Sequence, residues 1–335
     1  MTEYRLSETS SNFIHFLRAA SSQIVLIGHC AALNQLIEIS FLSFLPSFSV
    51  MVFFVLSGFV ISYSTSLKGE SYGLSNYLVD RFSRIYITLL PALLITFLLG
   101  FIYYLYFNAY PFNINIKYLF TCITMQQENP LLLKIQYMLP DINKYKFIGI
   151  FGDNLPLWSL SLEWWYYVFF GLFFYTKFKT MKIQHFILLV CCLPFVVGYM
   201  FLPGRAGYGL SFIWFSGVLI NYLLSKNIKI SYSNWLFYIF LVFTIISLKI
   251  ISNLSILSFI VFFLFSIIYF NGKSSNSNWN KFFKLAKWPG NYSYSLYVIH
   301  YPILLLLKKL GIITKNGPKI KFINVFSVAN LIIFI

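Results

Sequence analysis

The chain alternates between long apolar runs of about twenty residues and short polar connections. An apolar helix of about 20 residues crosses the hydrocarbon layer with its backbone groups bonded internally, so each run predicts a membrane-spanning helix. The runs fall at about 13–34, 42–64, 85–107, 156–175, 183–202, 208–225, 234–250, 254–271, 291–310 and 321–335. They predict an all-α fold, a polytopic integral membrane bundle of about ten transmembrane helices. A membrane β-barrel would show short alternating segments instead. The first run follows a polar leader without a small-residue cleavage pattern, so it is expected to stay as the first transmembrane helix.

One connection is long. Residues 108–155 carry Pro111, Pro130, Pro140 and several asparagines, with apolar stretches of their own at Tyr118 to Met125 and Ile148 to Phe151. That content suits a cap packed over one mouth of the bundle. No internal repeat and no second, soluble domain is visible, so residues 1–335 read as a single membrane domain.

Composition sharpens this picture. Charged residues make up 10% of the chain, against about 25% in a soluble domain, and mean hydropathy is +0.75. A net charge of +16 would point to nucleic acid in a soluble protein. Here the cations sit between apolar runs, so anionic membrane lipids and phosphate-bearing substrates are the expected partners, and nucleic acid is not.

Lysine and arginine in short connections set the orientation. Arg81 and Arg84, Lys179 and Lys182, Lys226 and Lys229, and Lys281 to Lys287 share one side if the N-terminus is cytoplasmic. Residues 108–155 are then extracytoplasmic. Lys308, Lys309, Lys315, Lys319 and Lys321 fall on the opposite side and disagree. The four cysteines, Cys30, Cys122, Cys191 and Cys192, have neither CxxC nor Cys/His metal spacing, so no disulfide framework and no metal site is expected.

Five clusters carry candidate chemistry. Arg18 and His29 lie eleven residues apart in the first run, about three turns and roughly 16 Å along one helix face. Ionisable groups at membrane depth mark function by default; the plainer reading is a snorkelling arginine and a hydrogen-bonded histidine. The second run holds FFVLSGF, Phe53 to Phe59, whose Ser57-Gly58 step admits a close backbone or a ligand. Arg81 and Arg84 share a face just before the third run. Their guanidinium forks, with helix N-terminal amides, suit a di- or polyphosphate; membrane anchoring is the plainer role.

The fourth cluster, Leu157 to Phe170, puts Ser159, Glu163, Tyr166 and Tyr167 on one face behind Trp158. A carboxylate in so apolar a span needs a cation, such as Arg205 or a protonated His29, or keeps its proton. The fifth, Asn291 to Ile303, carries a polar stripe of Ser293, Tyr297 and His300, followed by Pro302. Counting residues from each membrane face puts Glu163 and His29 at similar depth, with Arg18, Arg81 and Arg84 near the cytoplasmic mouth. Trp158, Ser57, Ser159, Tyr297 and His300 are candidates for lining the space between.

In this order, the clusters resemble the membrane acyltransferase family 3. The likeness rests on the Arg-x10-His first helix, FFVLSGF, the RxxR step at Arg81 and Arg84, WSLSxE from Trp158 to Glu163, and SYSLYxxHYP from Ser293 to Pro302. The resemblance implies a ten-helix inner-membrane protein that moves an acyl group, usually acetyl from acetyl-CoA, onto a hydroxyl. Acceptors of such proteins are typically carbohydrates, free or lipid-linked, such as O-antigen, capsule or peptidoglycan sugars. No bound cofactor is implied; acyl-CoA is the donor substrate.

The same resemblance implies His29 as the catalytic imidazole, Arg18 as its partner, and Arg81 and Arg84 at the mouth where acyl-CoA arrives. The match in depth adds Glu163 to the catalytic candidates. His15 stands where the family often has Asp, Ala19 where it has Gly, and Ile87 where it has Pro, with Pro91 nearest. A membrane transporter or acyl-group translocase is the alternative. Against it, the chain has no paired halves with matching interrupted helices.

Overall fold

The computed structural model describes residues 5–33, 40–138, 148–176, 181–201, 209–226, 263, 266, 267, 269–271 and 277–311. Among them every regular element is helical. The α-helices are α1 (Glu8–Leu33), α2 (Ser40–Lys68), α3 (Gly73–Phe107), α4 (Ile116–Ile123), α5 (Pro130–Met138), α6 (Leu157–Tyr175), α7 (Ile183–Phe201), α8 (Leu210–Ser225), α9 (Asn278–Lys284) and α10 (Lys287–Lys309). Seven of the predicted spans coincide with α1, α2, α3, α6, α7, α8 and α10. The spans expected at 234–250 and 321–335 lie outside the described residues, as does most of 254–271.

Among the described residues, four helical segments are long and apolar enough to cross a membrane: Glu8–Leu33, Leu45–Lys68, Glu70–Phe107 and Ile183–Phe201. Glu163 and the tryptophans and tyrosines around it lower the hydropathy of α6, as the lysines and tyrosines do for α10. The exposed faces of α3 and α7 are apolar. Leu94, Leu98, Phe101 and Leu105 on α3, and Phe186, Val190, Val197 and Phe201 on α7, are exposed among the described residues. A surface like that belongs in lipid.

The third helix begins about twelve residues before its expected start. Gly69 and Gly73, at φ +70° and +75°, make the left-handed turns that end α2 and begin α3. The polar stretch from Ser75 to Arg84 is therefore helix, stabilised by local pairs: Tyr72 donates to Asp80 at 2.6 Å, and the Arg81 guanidinium lies 5.4 Å from the centre of the Tyr77 ring. At the far end Asn108 adopts a left-handed cap, φ 51°, and its N–H bonds to the Tyr104 carbonyl.

By compactness the chain divides into two units. The first comprises Met1–Ser21, Met51–Gly69 and Tyr208–Asn291. Its helices are fastened by buried polar pairs: Asn12 donates to Asn280 at 2.8 Å, and the Ser7 N–H to Asn271 at 2.9 Å. Phe13 packs between Phe270 and Phe283. Where α2 crosses α8, a Cβ on Gly58 would stand 2.0 Å from the Trp214 carbonyl oxygen, and one on Gly217 2.2 Å from that of Val55. Small residues on both helices let the backbones touch.

The second unit comprises Ser22–Val50, Glu70–Gly207 and Tyr292–Ile335. Here α3, α6 and α7 pack side by side. Tyr77 donates to the Tyr167 carbonyl at 3.0 Å, and Trp165 stacks on Phe195 with centroids 5.4 Å apart. The long connection folds onto these helices as α4, α5 and a 3-10 turn at Phe151–Asp153. Trp165 donates to the Met125 carbonyl at 2.8 Å, Gln127 to that of Leu157 at 2.9 Å, and Tyr86 to that of Ile123 at 2.6 Å.

Candidate active site

The site is assembled in the second unit from the C-terminal half of α1, the first turn of α6 and the middle of α10. Gly28 lets α1 approach α2: a Cβ there would stand 2.5 Å from the Pro46 ring. This contact puts Pro46 beside His29 in a cleft of about 520 Å³. Trp158, Tyr297, Glu128, Ser47 and Leu133 line the same cleft.

His29 is partly buried, and its Nδ1 is buried without a hydrogen-bond partner. Two rings of α10 meet it edge-on. His300 lies 5.2 Å away, centre to centre, and Tyr301 5.1 Å away. His300 is fully buried, and its Nδ1 lies 3.0 Å from the Leu296 carbonyl. A carbonyl only accepts, so Nδ1 carries the proton and Nε2 keeps its lone pair. That Nε2 is buried and has no partner. Two imidazoles with unmet nitrogens, packed against each other where one of them lines a cleft, are more than packing requires, because buried polar atoms are as a rule paired.

Ser159 and Tyr297 join α6 to α10 through a 2.6 Å hydrogen bond. Ser159 Oγ also donates to the Pro156 carbonyl at 3.1 Å. With that proton committed, Tyr297 is the donor to Ser159. Asn154 adds a second tie, donating to the Val298 carbonyl at 2.9 Å.

One turn further along α6 lies a second, charged group. Glu163 accepts a short hydrogen bond from Tyr167. Arg84 of α3 is coupled electrostatically to Glu163, Tyr167 and Tyr294. The cation beside Glu163 is thus Arg84, rather than His29; Arg205, the other expected partner, lies outside the described residues. Arg81, buried against Tyr77, has an Nε without a hydrogen-bond partner. Both arginines lie well inside α3, Arg81 eight residues after Gly73, so the first-turn amides are about 12 Å away. The expected phosphate site shared between guanidinium forks and helix N-terminal amides is not built; the arginines stand without those amides.

The remaining candidates belong to the first unit. Arg18 lies on α1 eleven residues before His29, as expected, and, like Lys287, it acts electrostatically on His15. Ser57 accepts a 3.2 Å hydrogen bond from Trp214 at the glycine crossing. The close neighbour that the Ser57-Gly58 step admits is therefore a helix backbone.

The sequence matches a known family over almost its whole length. The family profile described as an acyltransferase domain, acyltransferase 3, matches residues 11–335. The chain belongs to the acyltransferase 3 family. Neither the curated proteins nor the solved structures yield a match. Family membership and the apolar helices together make this a membrane acyltransferase.

Tyr301, which meets His29 edge-on, and Glu128, which lines the cleft of this acyltransferase, are not among the candidates read from the sequence. Tyr301 adjoins His300 and reads as part of an apolar helix, since nothing in a stripe of Ser293, Tyr297 and His300 singles it out. Glu128 comes from the long connection. Its only sequence signal is scarcity: the chain has nine acidic residues, and this one stands between amide side chains just before a proline-initiated helix.

Proposed function

We propose that this membrane acyltransferase moves an acyl group, acetyl from acetyl-CoA, onto a hydroxyl of a cell-surface carbohydrate. One observation carries the reading: His29 lines a cleft large enough for a sugar ring, with a buried unpaired nitrogen and a second imidazole against it. His29 takes the proton of the incoming hydroxyl as its oxygen attacks the thioester carbon. Collapse of the tetrahedral intermediate breaks the C–S bond. The proton held on His29 then passes to the leaving sulfur, giving CoA-SH and the ester.

Arg81 and Arg84 hold the phosphates of acyl-CoA. Arg18 lies about 16 Å along α1 from His29, too far to touch the reacting carbon. With the N-terminus cytoplasmic in an inner membrane, the donor reaches the arginines from the cytoplasm. The connection over residues 108–155 then faces outward and admits the sugar.

A transporter or translocase would bind the same groups without forming an ester. The test uses membranes supplied with acetyl-CoA and carrying the cell's own glycan. Release of CoA-SH together with an ester on the glycan is expected, and His29→Ala should reduce both by about a thousandfold at unchanged expression. Undiminished transfer by His29→Ala, or glycan that carries no ester in the wild type, would overturn the reading.

A further inference from the structure

The cleft contains a charged residue that the mechanism above does not use. Glu128 lines it together with His29, Trp158 and Tyr297, on a short segment that the fold holds rigidly. Met125 takes a left-handed conformation, φ 56°, that ends α4 and turns the chain. Gln126 N–H then bonds back to the Thr121 carbonyl at 2.8 Å. The amides on either side of Glu128 are both occupied: Gln127 holds the Leu157 carbonyl at the start of α6, and Asn129 caps α5, accepting from Leu131 N–H at 3.0 Å. Tyr199 of α7 donates to a Glu128 carboxylate oxygen and to its carbonyl, each at 3.2 Å.

The chemistry of the lining separates donor from acceptor. Among its described lining residues no lysine or arginine appears, and Glu128 brings a negative charge. An anionic wall repels the phosphates of acyl-CoA. It suits a neutral polyol, because a carboxylate accepts hydrogen bonds from adjacent hydroxyls and an indole such as Trp158 covers the apolar face of a sugar ring.

We propose that Glu128, positioned by Tyr199, is the binding residue that anchors the acceptor's hydroxyl groups in the cleft, with Trp158 against the sugar ring. The inference rests on the acyl-transfer reading, and its test separates the two. Cells expressing the full chain are compared with Glu128→Gln, Glu128→Asp and Tyr199→Phe variants at matched membrane levels. Two quantities are measured: ester on the surface glycan by NMR, and binding of radiolabelled acetyl-CoA to the isolated membranes.

Glu128→Gln should lower glycan ester by about tenfold or more, with acetyl-CoA binding within about twofold of wild type. Glu128→Asp should recover part of the loss, and Tyr199→Phe should fall between Glu128→Gln and wild type. Full esterification by Glu128→Gln overturns the assignment while leaving acyl transfer intact. Loss of acetyl-CoA binding in Glu128→Gln also overturns it, placing Glu128 on the donor side or in the fold. Absence of glycan ester in the wild type overturns the acyl-transfer reading itself.

Discussion

The two polar regions of the second unit handle buried polarity in opposite ways. Around Arg84, charge is compensated within the protein: the guanidinium interacts electrostatically with Tyr167, Glu163 and Tyr294, and Glu163 accepts from Tyr167. Around His29 it is not. His29 Nδ1 and His300 Nε2 are buried with no partner, and the cleft that His29 lines has no cation in its described lining. A compensated group persists without a ligand, whereas unmet nitrogens cost about 1–3 kcal/mol each until something supplies the missing bond. The contrast separates a pre-arranged charge from a waiting acid–base pair. Tyr297 belongs to both regions, lining the cleft, bonded to Ser159, and within the electrostatic reach of Glu163.

Beyond the loss of His29 itself, the larger effect should come from breaking the compensated region. Arg84→Gln and Glu163→Gln should each lower kcat/KM for acyl-CoA by about a hundredfold, because removing either partner leaves the other half-buried with its charge uncompensated. The double variant should lose far less than the product of the two, with a coupling of about 1–3 kcal/mol. Losses that simply multiply would mean that Arg84 and Glu163 act independently.

A smaller effect should come from the unmet side. Asparagine at position 300 can keep a donor near the Leu296 carbonyl but removes the Nε2 acceptor; glutamine reaches further and restores an acceptor near Nε2. His300→Asn should therefore lose about tenfold more transfer than His300→Gln, with a pH–rate profile displaced from that of the wild type. Equal losses with superimposable profiles would reduce His300 to a packing residue.

Both comparisons were partly legible in the sequence. Each polar stripe on an apolar helix announced itself by spacing, and one cross-helix bond, Ser159 to Tyr297, joins two candidates chosen on spacing alone. What spacing cannot report is which stripe faces which. Glu163 therefore gained a partner on α3 that counting depth did not identify. The start of α3 was hidden because Asp80, Arg81 and Arg84 read as an aqueous connection, although local pairing with Tyr72 and Tyr77 keeps them helical. Glu128 was invisible for a deeper reason. It reaches the cleft through the folding of the long connection, held by bonds to Leu157 and Tyr199 that join residues distant in sequence.

The smallest effect serves as the control for the others. Ser57 belongs to the motif shared with the family, yet its side chain accepts from Trp214 where α2 and α8 cross, in the first unit. Ser57→Ala leaves the Trp214 indole N–H without that acceptor in a fully buried position, at a cost of about 1–3 kcal/mol. The glycine contacts at positions 58 and 217 still hold the crossing. Thermal stability in detergent should fall by a few degrees, while KM for acyl-CoA and the level of glycan ester stay within about twofold of wild type. A Ser57→Ala protein with undiminished stability and a tenfold loss of transfer would reverse this assignment and return Ser57 to the chemistry. The pattern expected of a paired polar group is the opposite one: stability moves and turnover does not.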